Sequence, residues 1–260
     1  MRPFFDQRFD KPVGEAWFEG PGDPDLLGAG ADPRYPGVCP LLVKLLFTNE
    51  RLSVQVHPGD DYAQAHHQSL GKTEAWVVLD AKPPGELAVG FREPINPKRL
   101  KTAAQTGEIE HLLDWRKAAP GDVVFTPAGT VHAIGAGLTI CEIQENSDIT
   151  YRLYDYGRQR ELHLDHAARV SQLRPHQFEP TRKVLSAGRE ELVVSRYFRI
   201  ERLKPKNAVT IPAGSAYYLI LIGTNGEVWF IPADNDQFTV SGSDWILTYR
   251  SETPAETILT

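Results

Sequence analysis

The sequence predicts a mainly β fold: a jelly-roll barrel of short strands, a second and smaller β lobe later in the chain, and a few short helices. Three observations carry this. Apolar and polar residues alternate strictly through Leu52-Ser53-Val54-Gln55-Val56-His57, the period of a strand with one buried face. Apolar runs are short and separated by turn residues. The 21 Gly and 20 Pro are scattered through the 260 residues, as the punctuation of many tight turns requires.

Taken in order, strands are expected at Leu41 to Phe47, at Leu52 to His57 after a turn at Asn49-Glu50, and at Ala75 to Leu79. Between Pro97 and Trp115, the roughly helical spacing of Leu100, Ala103, Ala104, Ile109, Leu112 and Leu113 predicts one or two short helices. Pro120-Gly121-Asp122 opens another β block, with strands at Val123 to Thr126, Thr139 to Gln144 and Thr150 to Tyr156. Residues 158–182, rich in Arg, His and Gln, read as a connector with a short helix around Asp165 to Val170. Strand-like runs then recur at Leu192 to Leu203, Ala216 to Ile222, Glu227 to Ile231 and Trp245 to Tyr249. The division expected is a larger domain over 1–157, the connector 158–182, and a small β lobe over 183–260. That lobe follows the last histidine, His176, so it cannot repeat a histidine-based metal site. Ile211-Pro212-Ala213-Gly214 nonetheless echoes Thr126-Pro127-Ala128-Gly129 as a strand-end turn.

Composition narrows the function. With 41% apolar and 24% charged residues the chain is near the average of soluble globular proteins, which excludes collagen-like and disordered classes. No apolar run approaches the roughly 20 residues that cross a bilayer, and the segment from Met1 to Val13 is too charged for a signal peptide, so a cytoplasmic protein without a membrane partner is expected. A net charge of −6 argues against nucleic acid as the partner. It leaves room for a small anion, because one or two buried Arg or Lys hold a phosphate monoester whatever the global charge. Cys39 and Cys141, with apolar neighbours, are expected to be buried thiols.

Two segments carry chemistry. Alternation puts Gln55 and His57 on one strand face, about 7 Å apart at ~3.3 Å per residue, and Pro58 keeps His57 extended. The run Gly121-Asp122-Val123-Val124-Phe125-Thr126-Pro127-Ala128-Gly129-Thr130-Val131-His132 matches the second cupin motif, G-x5-P-x-G-x2-H, at every fixed position. Its parts have physical roles: a strand ended by Pro, a turn needing glycine, and a histidine aimed back into a barrel. The first cupin motif survives in modified form as Gln55-x-His57 followed by Glu74. The barrel is therefore expected to be of cupin type. Its two imidazoles, carboxylate and carboxamide suit one Zn²⁺, Fe²⁺ or Mn²⁺ ion and leave coordination positions open for catalysis. A plain buried ion pair of Glu74 with His132 is the structural alternative.

The chain also resembles the type I mannose-6-phosphate isomerases (phosphomannose isomerases), in their short bacterial form. The resemblance rests on Gly14-Glu15-Ala16-Trp17, Pro40-Leu41-Leu42-Val43-Lys44, Leu52 to Pro58, Gly71-Lys72-Thr73-Glu74, Pro127 to Gly135 and Glu142 to Asp155. It departs after Trp17, where Phe18-Glu19-Gly20 replaces the family's usual Glu-(Ile/Leu)-Ser, and little of the C-terminal lobe is recognisable beyond Tyr197-Phe198. The resemblance implies zinc on the positions of Gln55, His57, Glu74 and His132, a catalytic Arg152, a sugar phosphate as substrate, and a monomer or homodimer. Interconverting mannose 6-phosphate and fructose 6-phosphate moves a proton between C1 and C2 through a cis-enediolate. Glu142, Lys72 or a metal-held hydroxide is the candidate carrier; a salt bridge of Glu142 to Arg152 is the structural alternative. Trp17 and Lys44 are candidate pocket residues, Asp148 is equally suited to capping a turn, and His66 and His67 are expected to face solvent. Two other classes stay open: a cupin dioxygenase, which uses a similar ligand set, and a sugar-binding cupin without turnover.

Overall fold

In the computed structural model, the residues described are 14–177, 182–186, 188–204, 209–211, 218–242 and 244–251. The N-terminal segment before Gly14 and the Pro212-Ala213-Gly214 echo lie outside them. The chain divides into two compact units.

The unit of 14–16 and 44–179 is built on two antiparallel five-stranded sheets. In chain order the elements up to residue 170 are β1 (Glu15–Glu19), α1 (Pro24–Leu27), β2 (Leu41–Thr48), β3 (Val54–Val56), α2 (Asp60–His67), β4 (Glu74–Ala81), β5 (Glu86–Phe91), α3 (Pro97–Thr106), α4 (Ile109–Leu112), β6 (Leu113–Lys117), β7 (Val123–Thr126), β8 (His132–Ile134), β9 (Leu138–Glu145), β10 (Tyr151–Tyr154) and α5 (Leu164–Val170), of which α1 lies in the other unit and β1 and β2 span the boundary. One sheet runs β1-β2-β9-β4-β7 and the other β10-β3-β8-β5-β6. This is the expected cupin-type barrel. Trp76, Val78, Leu87, Ile134 and Ile140 fill one part of its core; Val54, Val56, Phe91, Leu100 and Leu153 fill another.

The second unit groups 17–43 with the chain from 180 onward. Its later strands are β11 (Lys183–Ser186), β12 (Arg189–Val194), β13 (Phe198–Leu203), β14 (Val209–Ile211), β15 (Leu219–Gly223), β16 (Val228–Ile231), β17 (Phe238–Val240) and β18 (Trp245–Arg250). They form a sheet of order β11-β12-β13-β18-β15-β16 and a separate β14-β17 pair.

These boundaries differ from the sequence division. The described residues 158–177 group with the barrel unit: Ala167 of α5 is buried, Gln172 N donates to Gly129 O at 2.7 Å, and Ile95 N donates to Leu173 O at 3.0 Å. Residues 17–43 belong with the C-terminal strands. Residues Asp60–His67, for which the sequence suggests no element, form helix α2, whose one buried side chain, Ala63, leaves no apolar stripe to read. Strand β5 also escapes sequence reading, because Leu87 to Phe91 is buried on both faces and broken by Gly90 at φ +73°.

Candidate active site

The barrel brings the cupin residues together from both sheets. Gln55 on β3 is the cross-strand partner of His132 on β8, and His57 follows β3 by one residue. Glu74 starts β4 in the opposite sheet, where it pairs with Thr126 of β7 and Gln144 of β9. The turn of the second motif ties the halves locally. Gly129, at φ +86°, donates its N–H to His57 O at 2.8 Å, and a Cβ there would meet Val170 O at 2.8 Å, so no other residue fits without strain.

One ligand atom each from His57, Glu74 and His132 lies within 4.8 Å of the others, and all three residues are buried. Both rings have a defined tautomer. His57 Nδ1 donates to Ile149 O at 2.8 Å and His132 Nδ1 to Thr130 O at 2.9 Å; a carbonyl only accepts, so each Nε2 is left with a lone pair. Those lone pairs face Glu74, His57 Nε2 at 3.5 Å from Oε2 and His132 Nε2 at 3.3 Å from Oε1. Burial holds His132 down to about 4 and His57 well below its ordinary range, so both rings are neutral. Burial and the neighbouring Glu142 push Glu74 up to about 7, against Lys72. Two imidazole lone pairs and a carboxylate whose Oε1 has no donor thus meet at one point. A divalent cation answers all three, so the residues fit the metal. A simple Glu74–His132 ion pair does not, because a neutral ring gives the carboxylate no charge.

Gln55 places its amide nitrogen 3.3 Å from His132 Nε2, with its oxygen accepting from Ser53 Oγ at 3.1 Å. The amide must turn over to present oxygen to an ion. Around Glu74 the polar lining extends to buried Thr126 Oγ1 and Gln144 Oε1, which have no hydrogen-bond partner among the described residues.

Lys72 and Glu142 stand beside this centre. Lys72, held by its N–H to Pro58 O at 2.9 Å, bonds Glu74 Oε2 through Nζ and lies 3.3 Å from His57 Nε2 and 3.4 Å from Glu142 Oε1. Burial pulls its ammonium down, but Glu142 and Glu74 outweigh burial and leave its pKa raised. Lys72 is therefore a cation, not a free amine base. Burial pushes Glu142 up, but Lys72 and Lys44 outweigh it and hold the carboxyl below its usual range. The gain in basicity expected from burial is thus cancelled by the two lysines. Glu142 Oε2 also accepts from Trp76 Nε1 at 3.1 Å. Its partners are Lys72 and Trp76, and Arg152 is not among them.

Arg152 is the cross-strand partner of Gln55 on β10, but its Nη1 donates to Glu161 O at 2.8 Å and no bond joins it to the His57, Glu74 and His132 group. Its buried Nε has no partner among the described residues. Tyr156 does not continue the face of Arg152, since β10 ends at Tyr154 and Tyr156 sits at φ +55°. Lys44 is buried, and Trp17, at 39% exposed, lies in the other compact unit. His66 and His67 are exposed, as expected. Trp76 is the site residue that sequence reading missed. Its signal was present, since a residue two after Glu74 on a strand must share its face.

Similarity to known proteins agrees with this geometry. The chain is 36% identical over 231 residues to GmuF of Bacillus subtilis strain 168, described as a probable mannose-6-phosphate isomerase, across 79% of this chain and 73% of that protein. The chain belongs to the mannose-6-phosphate isomerase family. Among solved structures of the family, a mannose 6-phosphate isomerase from Bacillus subtilis superposes with a TM-score of 0.76 at 29% identity, over 86% of this chain and 78% of that one. A mannose 6-phosphate isomerase bound with zinc and yttrium shares the fold at a TM-score of 0.69 and 16% identity, over 92% and 91% of the two chains. No family model matches the chain.

Proposed function

We propose that this member of the family is a zinc-dependent mannose-6-phosphate isomerase acting in the cytoplasm on a small sugar phosphate, and that the unit of 44–179 carries the reaction. The observation that carries the reading is the convergence of two neutral imidazole lone pairs and the Glu74 carboxylate within 4.8 Å. His57, Glu74 and His132 would hold the ion, with Gln55 as a fourth ligand once its amide turns. When bound, zinc supplies a Lewis acid that stabilises negative charge developing on the substrate oxygens, a contribution of several kcal/mol.

The protein's own groups do the rest. Lys72, cationic and pointing at the same spot, donates a hydrogen bond to the sugar oxygen at C1 or C2. Glu142 carries the proton between those carbons. Its carboxyl is held low by Lys72 and Lys44 while burial works the other way. When Lys72 turns to the sugar oxygen, Glu142 loses that neutralising contact and its basicity rises where a base is needed. Arg152 is a permanent cation beside Gln55, suited to the substrate's anionic groups.

The test couples fructose 6-phosphate formation from mannose 6-phosphate to metal analysis of the same sample. Turnover should follow bound zinc, vanish on chelation and return on zinc addition. A fully zinc-loaded sample without conversion would overturn the reading.

A further inference from the structure

A second group of metal-ligating side chains lies on the surface of the same unit. The last turn of α2 presents His66 and His67, both exposed, and α5 presents the partly exposed His166. Their ring centroids are 5.7 Å apart for His66 and His166, 6.1 Å for His67 and His166, and 6.5 Å for His66 and His67. Two tyrosines build the patch. Tyr151 stacks on His166 at 4.9 Å and 16°, and its hydroxyl meets His67 Nε2 at 2.6 Å. Tyr62 lies against His66 at 4.1 Å, and its hydroxyl meets His166 Nδ1 at 2.9 Å.

We propose that His66, His67 and His166 form a second binding site, for a divalent transition metal, that clamps helix α2 to helix α5. The geometry is near what an ion requires. With metal–nitrogen bonds of ~2.0–2.1 Å, a ring centroid sits about 3.2 Å from the ion, and tetrahedral ligands then hold their centroids about 5.2 Å apart. The observed separations exceed this by 0.5 to 1.3 Å. Unlike the nitrogens of the buried centre, these are not already gathered within 4.8 Å, so the rings must turn, as side chains in contact with solvent can. The hydroxyl contacts favour the outcome. A ring nitrogen that donates to a tyrosine oxygen leaves its opposite nitrogen as the lone-pair ligand, the arrangement that orients histidine on metals. A phenol hydroxyl both donates and accepts, so a tautomer in which His166 Nδ1 and His67 Nε2 are the donors is open to both rings, and in it His166 Nε2 and His67 Nδ1 are free for the ion. An all-imidazole set selects Zn²⁺, Ni²⁺ or Cu²⁺ over Mg²⁺ or Ca²⁺.

The experiment uses tag-free protein with its first site already zinc-loaded and dialysed, titrated with Zn²⁺ and with Ni²⁺ by calorimetry and by thermal unfolding. One further equivalent per chain should bind, and the unfolding midpoint should rise with it. His166→Ala and His67→Ala should each abolish the extra equivalent while the first equivalent and the isomerase rate, measured without added metal, stay unchanged. His132→Ala should do the reverse, losing the first equivalent and keeping the second, which separates this proposal from the buried site. No further equivalent in the wild-type protein, or one that survives combined replacement of His66, His67 and His166 by Ala, would overturn it.

Discussion

Two regions of this molecule bury charge, and they resolve it in opposite ways. In the C-terminal unit, Glu201 on β13 is fully buried and takes Arg189 on both carboxylate oxygens, Nε on Oε2 and Nη2 on Oε1 at 3.0 Å, with the Tyr249 hydroxyl completing Oε1. Every demand is met by protein groups, so the network is structural. At the barrel centre, Glu74 is equally buried, yet Oε1 has no hydrogen-bond donor and faces the lone pair of a neutral ring. Buried polar atoms left short by the protein mark a place where something else is meant to bind.

The comparison breaks most directly at His132. His132→Ala should remove zinc and lower kcat/KM by about 10³-fold or more, as losing several kcal/mol of charge stabilisation implies, while the fold persists. Retained metal in that variant would take His132 out of the site. The counterpart is Glu201→Ala, which strands Arg189 in the interior. It should cost about 3–5 kcal/mol in denaturant unfolding yet leave the rate per folded molecule unchanged. Lys72→Met sharpens the contrast inside the centre. Zinc should stay bound, kcat should fall by about 10²-fold, and the acidic limb of the pH–rate profile should move to higher pH, because Glu142 loses the cation that holds its carboxyl low. An unmoved limb would show that Glu142 does not set it.

The smallest effect concerns Glu145. Its buried carboxyl accepts from Thr73 N at 2.8 Å, and burial, with Asp60 nearby, pushes it up to about 8. The folded state therefore binds a proton that the unfolded chain, with an ordinary carboxyl near 4.5, releases earlier. That stabilisation is complete below about pH 4.5 and is lost as pH rises through about 8. Glu145→Gln, which cannot ionise, should flatten the decline in thermal midpoint between pH 5 and 8.5, and an undiminished decline would assign it to another group.

Much of this was legible in the residues themselves. Strict alternation over Leu52 to His57 sets Gln55 and His57 on one face, and Pro127, Gly129 and His132 spell out a turn whose chemistry is local. The helix at Pro97 announced itself by apolar spacing, and a short helix is expected within the connector around Asp165 to Val170, where α5 lies. Strand β5 and helix α2 did not, one being buried on both faces and the other on almost none. Residues 158–182 read as a connector because the packing of the described part, 158–177, depends on partners such as Gly129 and Ile95, distant in sequence.

The sequence by itself determined the strand periods, the glycine turn and the chemical identity of the candidate ligands, because backbone geometry and turn preference act over a few residues. Only the tertiary structure decided what state those ligands are in. The Ile149 and Thr130 carbonyls that set the imidazole tautomers, and the Lys72, Glu74 and Glu142 triangle that sets charge, arise where strands from two sheets meet in an interior of low dielectric. There, electrostatic coupling depends on distance in space, which no local pattern encodes.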